Sequence, residues 1–71
     1  MLTIHPEFTR EDRPYRILVH ESGDPATAPD EAYYASKQNL ATGYAEDYWN
    51  TYAPALVRVL NGDEVVCEFE S

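Results

Sequence analysis

Residues 55–71, ALVRVLNGDEVVCEFES, decide the fold because they predict a β-hairpin. Two runs rich in β-branched residues lie on either side of Asn61 and Gly62, and an Asn-Gly pair in that setting is a strong signal for a tight turn. The C-terminal part of the chain is therefore expected to form two antiparallel strands.

The length of the hairpin loop sets which residues face each other. A two-residue turn at Asn61 and Gly62 would place Val59 opposite Glu64 and Val57 opposite Val66. A three-residue loop over 61–63 gives the apolar pairs Val59–Val65, Val57–Cys67 and Ala55–Phe69. We favour the second register because one face of a small sheet must be buried. The other face then carries Leu56, Arg58, Leu60, Glu64, Val66, Glu68 and Glu70.

Upstream, the segment PYRILVHES predicts a strand at about 15–21. Side chains alternate along a strand, so Ile17 and Val19 share one face while Leu18 and His20 share the other. The segment LTI at residues 2–4 is the candidate for an additional edge strand at the N-terminus.

A helix is expected at about 29–49. Thr27 and Asp30 resemble a capping box, Pro29 suits a first turn, and Pro54 ends the helix. Gly43 leaves open whether there is one helix or two. One stripe of the helical wheel collects Tyr33, Leu40, Ala41, Tyr44, Tyr48 and Tyr52.

The segment GYAEDYWNTYAPA, residues 43–55, holds four aromatic rings and two adjacent acids. Tyr44 and Tyr48 align with Leu40 and are expected in the core. Trp49 lies about 100° around the helix from Tyr48, so we expect it to be exposed. It is either an interface residue or a boundary residue against Pro54.

These elements predict an α+β fold in one domain over residues 1–71. Its expected form is a small antiparallel sheet of three or four strands with one helix packed on one face. The expected order is β-α-β-β, with the N-terminal strand as a possible addition.

The chain has 71 residues, so its core is small and a deep substrate cavity is not expected. Its single cysteine, Cys67, cannot form an internal disulfide, which favours a reducing compartment. No apolar run is long enough to cross a membrane and no signal peptide is visible. We therefore expect a cytoplasmic protein.

The formal net charge is −8, from 13 acids and 5 bases. Residues 1–16 contain three of each and sum to zero, so residues 17–71 carry the whole excess of −8. Such a charge repels nucleic acid and anionic membrane but attracts basic surfaces. It is also compatible with simple solubility.

No specific catalytic motif is present. Cys67 falls on the apolar face of the hairpin, and His5 and His20 lack the spacing of a metal site. Adjacent acids recur, but a domain this small offers no cleft for paired carboxylates to work across. We expect neither enzymatic activity nor a metal or other cofactor.

Acidic residues recur at separate points of the expected fold: the helix start, the outer helix face, the hairpin turn and the last strand. Carboxylates spread over a rigid domain can match the charge pattern of a nucleic-acid backbone, so a protein that binds nucleic acid through Lys and Arg would bind them. Trp49 and Tyr52 are possible aromatic anchors. The candidate partner-binding residues are Asp30, Glu31, Glu46, Asp47, Trp49, Tyr52, Asp63, Glu64, Glu68 and Glu70.

In size, charge and element order, the chain resembles the small acidic phage-encoded inhibitors of bacterial defence, especially anti-CRISPR proteins. The resemblance spans the whole chain and includes no shared motif. It implies a non-enzymatic inhibitor in the host bacterial cytoplasm that occupies a basic, nucleic-acid-binding surface, such as that of a CRISPR effector subunit, without binding nucleic acid itself.

The alternative is a small interaction or assembly module without nucleic-acid mimicry. It would form a homodimer or dock on a larger partner through the outer apolar residues Leu56, Leu60, Val66 and Trp49. Salt tolerance would distinguish this module from the inhibitor, whose binding depends on charge.

Overall fold

The computed structural model describes residues 6–70. A short 3₁₀ helix, Pro6–Thr9, precedes two strands, β1 (Tyr15–His20) and β2 (Glu31–Ala35). The helix α1 (Gln38–Tyr52) follows, and then the hairpin of β3 (Leu56–Asn61) and β4 (Glu64–Glu70). The four strands form one antiparallel sheet in the order β2-β1-β3-β4, which confirms the α+β class with a single long helix.

The start of the predicted helix is wrong, because the segment EAYYA forms β2 instead. It pairs with β1, with Ile17 opposite Tyr33 and Val19 opposite Glu31. Thr27 is not a helix cap, since its backbone N–H and its hydroxyl both donate to the Asp24 carbonyl. Two strands thus precede the helix, the number expected if an extra N-terminal strand is present, but the additional strand is β2. The strand expected at 2–4 lies outside the described residues.

The helix α1 runs without interruption from Gln38 to Tyr52, so Gly43 does not divide it. It ends where Ala53 adopts the left-handed conformation and donates its N–H to the Trp49 carbonyl, just ahead of Pro54. Ala41, Tyr44, Ala45 and Tyr48 form its buried face.

The hairpin turns through two residues, Gly62 and Asp63, and a β-bulge interrupts its pairing. Beyond the bulge, Val59 pairs with Cys67 and Val57 pairs with Phe69. The predicted three-residue loop is therefore wrong, and the partners of Val57 and Val59 lie two positions further along β4 than predicted. A shift of two preserves the face of a side chain, so Cys67 and Phe69 lie on the inner face as predicted. The prediction is wrong for Val65, which pairs with Leu60 on the outer face and is 41% exposed.

The core lies between α1 and the inner face of the sheet. Ile17, Val19, Val57 and Val59 from the two central strands are fully buried there. Phe8, two residues of β2 (Tyr33 and Ala35) and four residues of α1 complete the cluster. The half-buried side chains that pack against it are Tyr15, Trp49, Val66, Cys67 and Phe69. Val66 is thus on the inner side, because the bulge takes up this one extra residue of β4.

The apolar side chains of β1 and β3 on the opposite face of the sheet are also buried, although the alternative of an assembly module needs them exposed for docking. Leu56 is 2% exposed and Leu60 is 6% exposed. Leu18 and His20, on the same face of β1, are buried as well. These side chains contribute to folding, and Val65 is the apolar residue of the hairpin that remains exposed.

Candidate acidic binding surface

The two ends of the sheet differ in charge. Antiparallel pairing brings the end of β1, the start of β2, the start of β3 and the end of β4 to the same end of the sheet. Five exposed acids lie at that end or in the adjoining β1–β2 loop, and we call them the acidic end: Glu21, Asp24, Asp30, Glu31 and Glu70.

These acids lie close together. His20 pairs with Leu56, which pairs with Glu70, so Glu70 lies two strand spacings, or roughly 10 Å, from the end of β1. Asp30 donates its N–H to the carbonyl of Val19 at 2.8 Å on the other side of β1. The acidic end is therefore about one sheet width across, or roughly 15 Å.

Neutral groups hold three of these carboxylates in place. The Glu21 N–H donates to Asp30 Oδ2 at 2.8 Å, and the Ala26 N–H donates to Asp24 Oδ1 at 2.9 Å. The hydroxyls of Tyr33 and Tyr48 both donate to Glu31 Oε2. Hydrogen bonds from uncharged donors fix the positions of the acids without cancelling their charge.

The basic side chains are mostly at the opposite end of the sheet. Arg13 and Arg16 lie at the start of β1, and Lys37 follows β2 just before α1. Arg16 Nη2 donates to the Gly62 carbonyl at 2.9 Å, which places a guanidinium beside the hairpin turn. In the described part of the chain, Arg10–Asp12 is the only ion pair, so no acid of the acidic end is neutralised by one.

The helix α1 adds to this polarity because its C-terminus points toward the acidic end. The helix ends at Tyr52, four residues before β3 begins at the acidic end of the sheet. A helix C-terminus carries a partial negative charge of about half an electron, and the last turn of α1 contains no basic residue.

The structure divides the candidate partner-binding acids among several surfaces. Asp30, Glu31 and Glu70 belong to the acidic end. Asp30 precedes β2 and Glu31 begins it, so neither lies at a helix start as predicted. Asp63 and Glu64 lie at the opposite end, beside Arg16. The remaining acids are all exposed: Glu46 and Asp47 lie on α1, and Glu68 lies on β4 opposite Arg58 of β3.

Sequence reasoning missed Glu21 and Asp24, which belong to the acidic end. The signal was present in composition, because residues 21–31 hold four acids and no base. It was not used because this segment was interpreted as a connection into a helix, and not as a loop between two paired strands.

The two candidate aromatic anchors have different environments. Trp49 is half-buried and packs on Phe69 with ring centroids 6.0 Å apart, so the expectation that it is exposed is wrong. Tyr52 is 52% exposed, and its ring centroid lies 4.7 Å from that of Tyr48. Tyr52 is therefore the aromatic residue of α1 that is available to a partner.

The tyrosine hydroxyls around Glu31 stay protonated across the physiological range. Burial and the hydrogen bond to Glu31 raise the pKa of Tyr33 to about 12, and the same two causes raise the pKa of Tyr48 further. Both phenols are therefore donors to the carboxylate near pH 7, and Glu31 remains fixed.

His20 lies beneath the acidic end and is 1% exposed. Arg58 Nε donates to His20 Nε2 at 3.3 Å, so this nitrogen carries no proton. Burial and the positive charge of Arg58 lower the pKa of His20, while Asp30 and Asp24 oppose the shift. The folded state therefore favours neutral His20.

This shift predicts a loss of stability as pH falls. The free energy contributed by neutral His20 is fully present above pH 6.5, the unfolded-state pKa, and is lost as pH falls below it toward the lowered folded-state pKa. We expect the wild type to lose stability relative to a His20→Leu variant between pH 7.5 and 5.5. Urea unfolding of both proteins at each pH checks this, and parallel profiles would contradict it.

Comparisons of the chain with protein-family models, with curated proteins and with solved structures found no match. The helices found between residues 6 and 70 are too short or too polar to span a bilayer. Over that same range, no group of three or more His, Cys, Asp or Glu side chains is placed to hold a metal ion.

Proposed function

We propose that this protein is a non-enzymatic inhibitor that occupies a basic, nucleic-acid-binding site on a partner protein, such as a subunit of a CRISPR effector complex. The observation that carries the proposal is the acidic end, where five exposed acids and a helix C-terminus meet without an ion pair to any other residue between 6 and 70. A surface that binds a phosphate backbone through Lys and Arg is complementary to it.

Two further features support binding at this end. The fixed positions of Asp24, Asp30 and Glu31 reduce the conformational entropy that binding would otherwise cost. The exposed ring of Tyr52 supplies apolar contact area beside the charges, as aromatic residues do at protein interfaces. The alternative, an assembly module docking through Leu56 and Leu60, is not favoured because both side chains are buried.

The test is capture of a partner from a bacterial lysate, with elution by rising salt and by a DNA or RNA oligonucleotide. We expect the partner to elute early in the salt series and to be displaced by the oligonucleotide. A triple variant, Glu21→Lys, Asp24→Lys and Glu70→Lys, should weaken binding at least about a hundredfold, because it places like charges against the basic site.

The matched control is Glu46→Lys, Asp47→Lys and Asp63→Lys, which makes the same change in net charge elsewhere. It should retain most of the binding of the wild type. Equal losses in the two triple variants would mean that net charge alone controls binding. A partner that stays bound at high salt and ignores the oligonucleotide would contradict the proposal.

A further inference from the structure

Glu31 and the tyrosines of α1 form a defined arrangement within the acidic end. Glu31 Oε2 accepts from both Tyr33 and Tyr48, with the Tyr33 distance at 3.0 Å. Tyr48 also packs against Tyr52, at a centroid separation of 4.7 Å. Tyr48 therefore contacts both the Glu31 carboxylate, through its hydroxyl, and the exposed Tyr52 ring, through its own ring.

The carboxylate of Glu31 has unused hydrogen-bonding capacity. An ionised carboxylate accepts about four hydrogen bonds, and both bonds to Glu31 fall on Oε2. Within residues 6–70, Oε1 has no hydrogen-bond partner and Glu31 has no ion pair. The side chain is therefore held in one orientation by two phenols while its other oxygen is open to a donor.

From these contacts we infer that Glu31 and Tyr52 together bind one arginine side chain of the partner protein. A guanidinium can donate to Oε1 and at the same time lie on the face of the Tyr52 ring, because it is planar and stacks on aromatic rings. A lysine ammonium can form the ion pair but cannot stack in this way, so the site favours arginine. The inference rests on the proposed function for the identity of the occupant.

Two nearby features strengthen the attraction for a cation. Glu21 is close enough to Tyr48 for its charge to raise the pKa of that phenol. The C-terminus of α1, at Tyr52 itself, contributes its partial negative charge, and the last turn of the helix holds no basic residue.

The test uses a blocked peptide with one arginine between glycines, and its citrulline counterpart, which has nearly the same shape but no charge. Titration followed by NMR should show shifts at Glu31 and in the Tyr52 ring with the arginine peptide only. Glu31→Gln should weaken binding about tenfold, because it removes the charge-assisted hydrogen bond. Tyr52→Ala should also weaken it, while Tyr52→Phe keeps the ring and the binding.

The matched control is Glu68→Gln, the same change at an exposed acid on the other face of the sheet, which should leave peptide binding within about twofold of wild type. Equal weakening by Glu68→Gln, or equal shifts with citrulline, would overturn the arginine site. If the peptide fails but salt-sensitive capture of a partner persists, the proposed function stands without this site. If the peptide binds and the triple reversal of the acidic end leaves capture unchanged, the site stands and the proposed function falls.

Discussion

Replacing Tyr48 by alanine is expected to destabilise the protein by about 3–5 kcal/mol, the range for removing a buried aromatic side chain. Tyr48 is 7% exposed, and its ring packs on those of Tyr33, Tyr44 and Tyr52. Its loss also removes one of the two hydroxyls that hold Glu31. In a domain of this size, a change of 1 kcal/mol shifts Tm by about 4–8 °C, so Tm should fall by more than about 10 °C.

Tyr52→Ala is the matched control, since it removes the same side chain one helical turn later. Tyr52 is 52% exposed, so we expect a loss of at most about 1 kcal/mol, mainly from its contact with Tyr48. Urea and thermal unfolding of both variants, followed by circular dichroism, measure the difference. Similar losses in the two variants would contradict the assignment of Tyr48 to the core and Tyr52 to the surface.

The helical wheel separated the buried tyrosines of α1 from the exposed one only in part. Wheel geometry predicted correctly that Tyr44 and Tyr48 are core residues, because a periodicity of 3.6 fixes which side chains share a face. It placed Leu40 and Tyr52 on the same stripe, yet these lie at the two ends of α1 and are exposed. A stripe is buried only along the length over which the helix contacts the sheet.

The hairpin and β1 were predictable because their β-branched runs and the Asn-Gly pair are strong local signals. The inner positions of Cys67 and Phe69 were also predictable, although the loop length and the exchange of Val65 and Val66 between the two faces were not. Moving the partner of Val59 from Val65 to Cys67 is a shift of two residues, and alternation along a strand has a period of two. The bulge itself had no signal in the pattern.

The segment EAYYA was assigned to the wrong element because its local signals conflict. Glu and Ala favour helix, and Tyr33 fits the helical stripe, whereas the two tyrosines favour a strand. Pairing with β1 decides between them, and this long-range contact is not visible in five residues. Because of this error the acidic end was not predicted, since only a strand at 31–35 brings Asp30 and Glu31 to the same end of the sheet as Glu70.

Replacing Leu56 by alanine is expected to cost about 2–5 kcal/mol, the range for truncating a buried leucine. Leu56 lies on the sheet face opposite α1, between His20 and Glu70, and is 2% exposed. If it were instead an exposed docking residue, its truncation would weaken partner binding and leave the free energy of unfolding nearly unchanged. The two interpretations therefore predict opposite outcomes in a denaturation experiment on the isolated protein.

Val65→Ala is the control for Leu56→Ala, because Val65 belongs to the same hairpin but is 41% exposed. Its replacement should change the free energy of unfolding by about 0.5 kcal/mol or less. Urea denaturation of both variants gives the comparison, and an equal, small effect would restore the outer face as a docking surface. A large effect confined to Leu56 means that this leucine of the outer face is committed to folding, and it favours the acidic end with Tyr52 as the proposed binding surface.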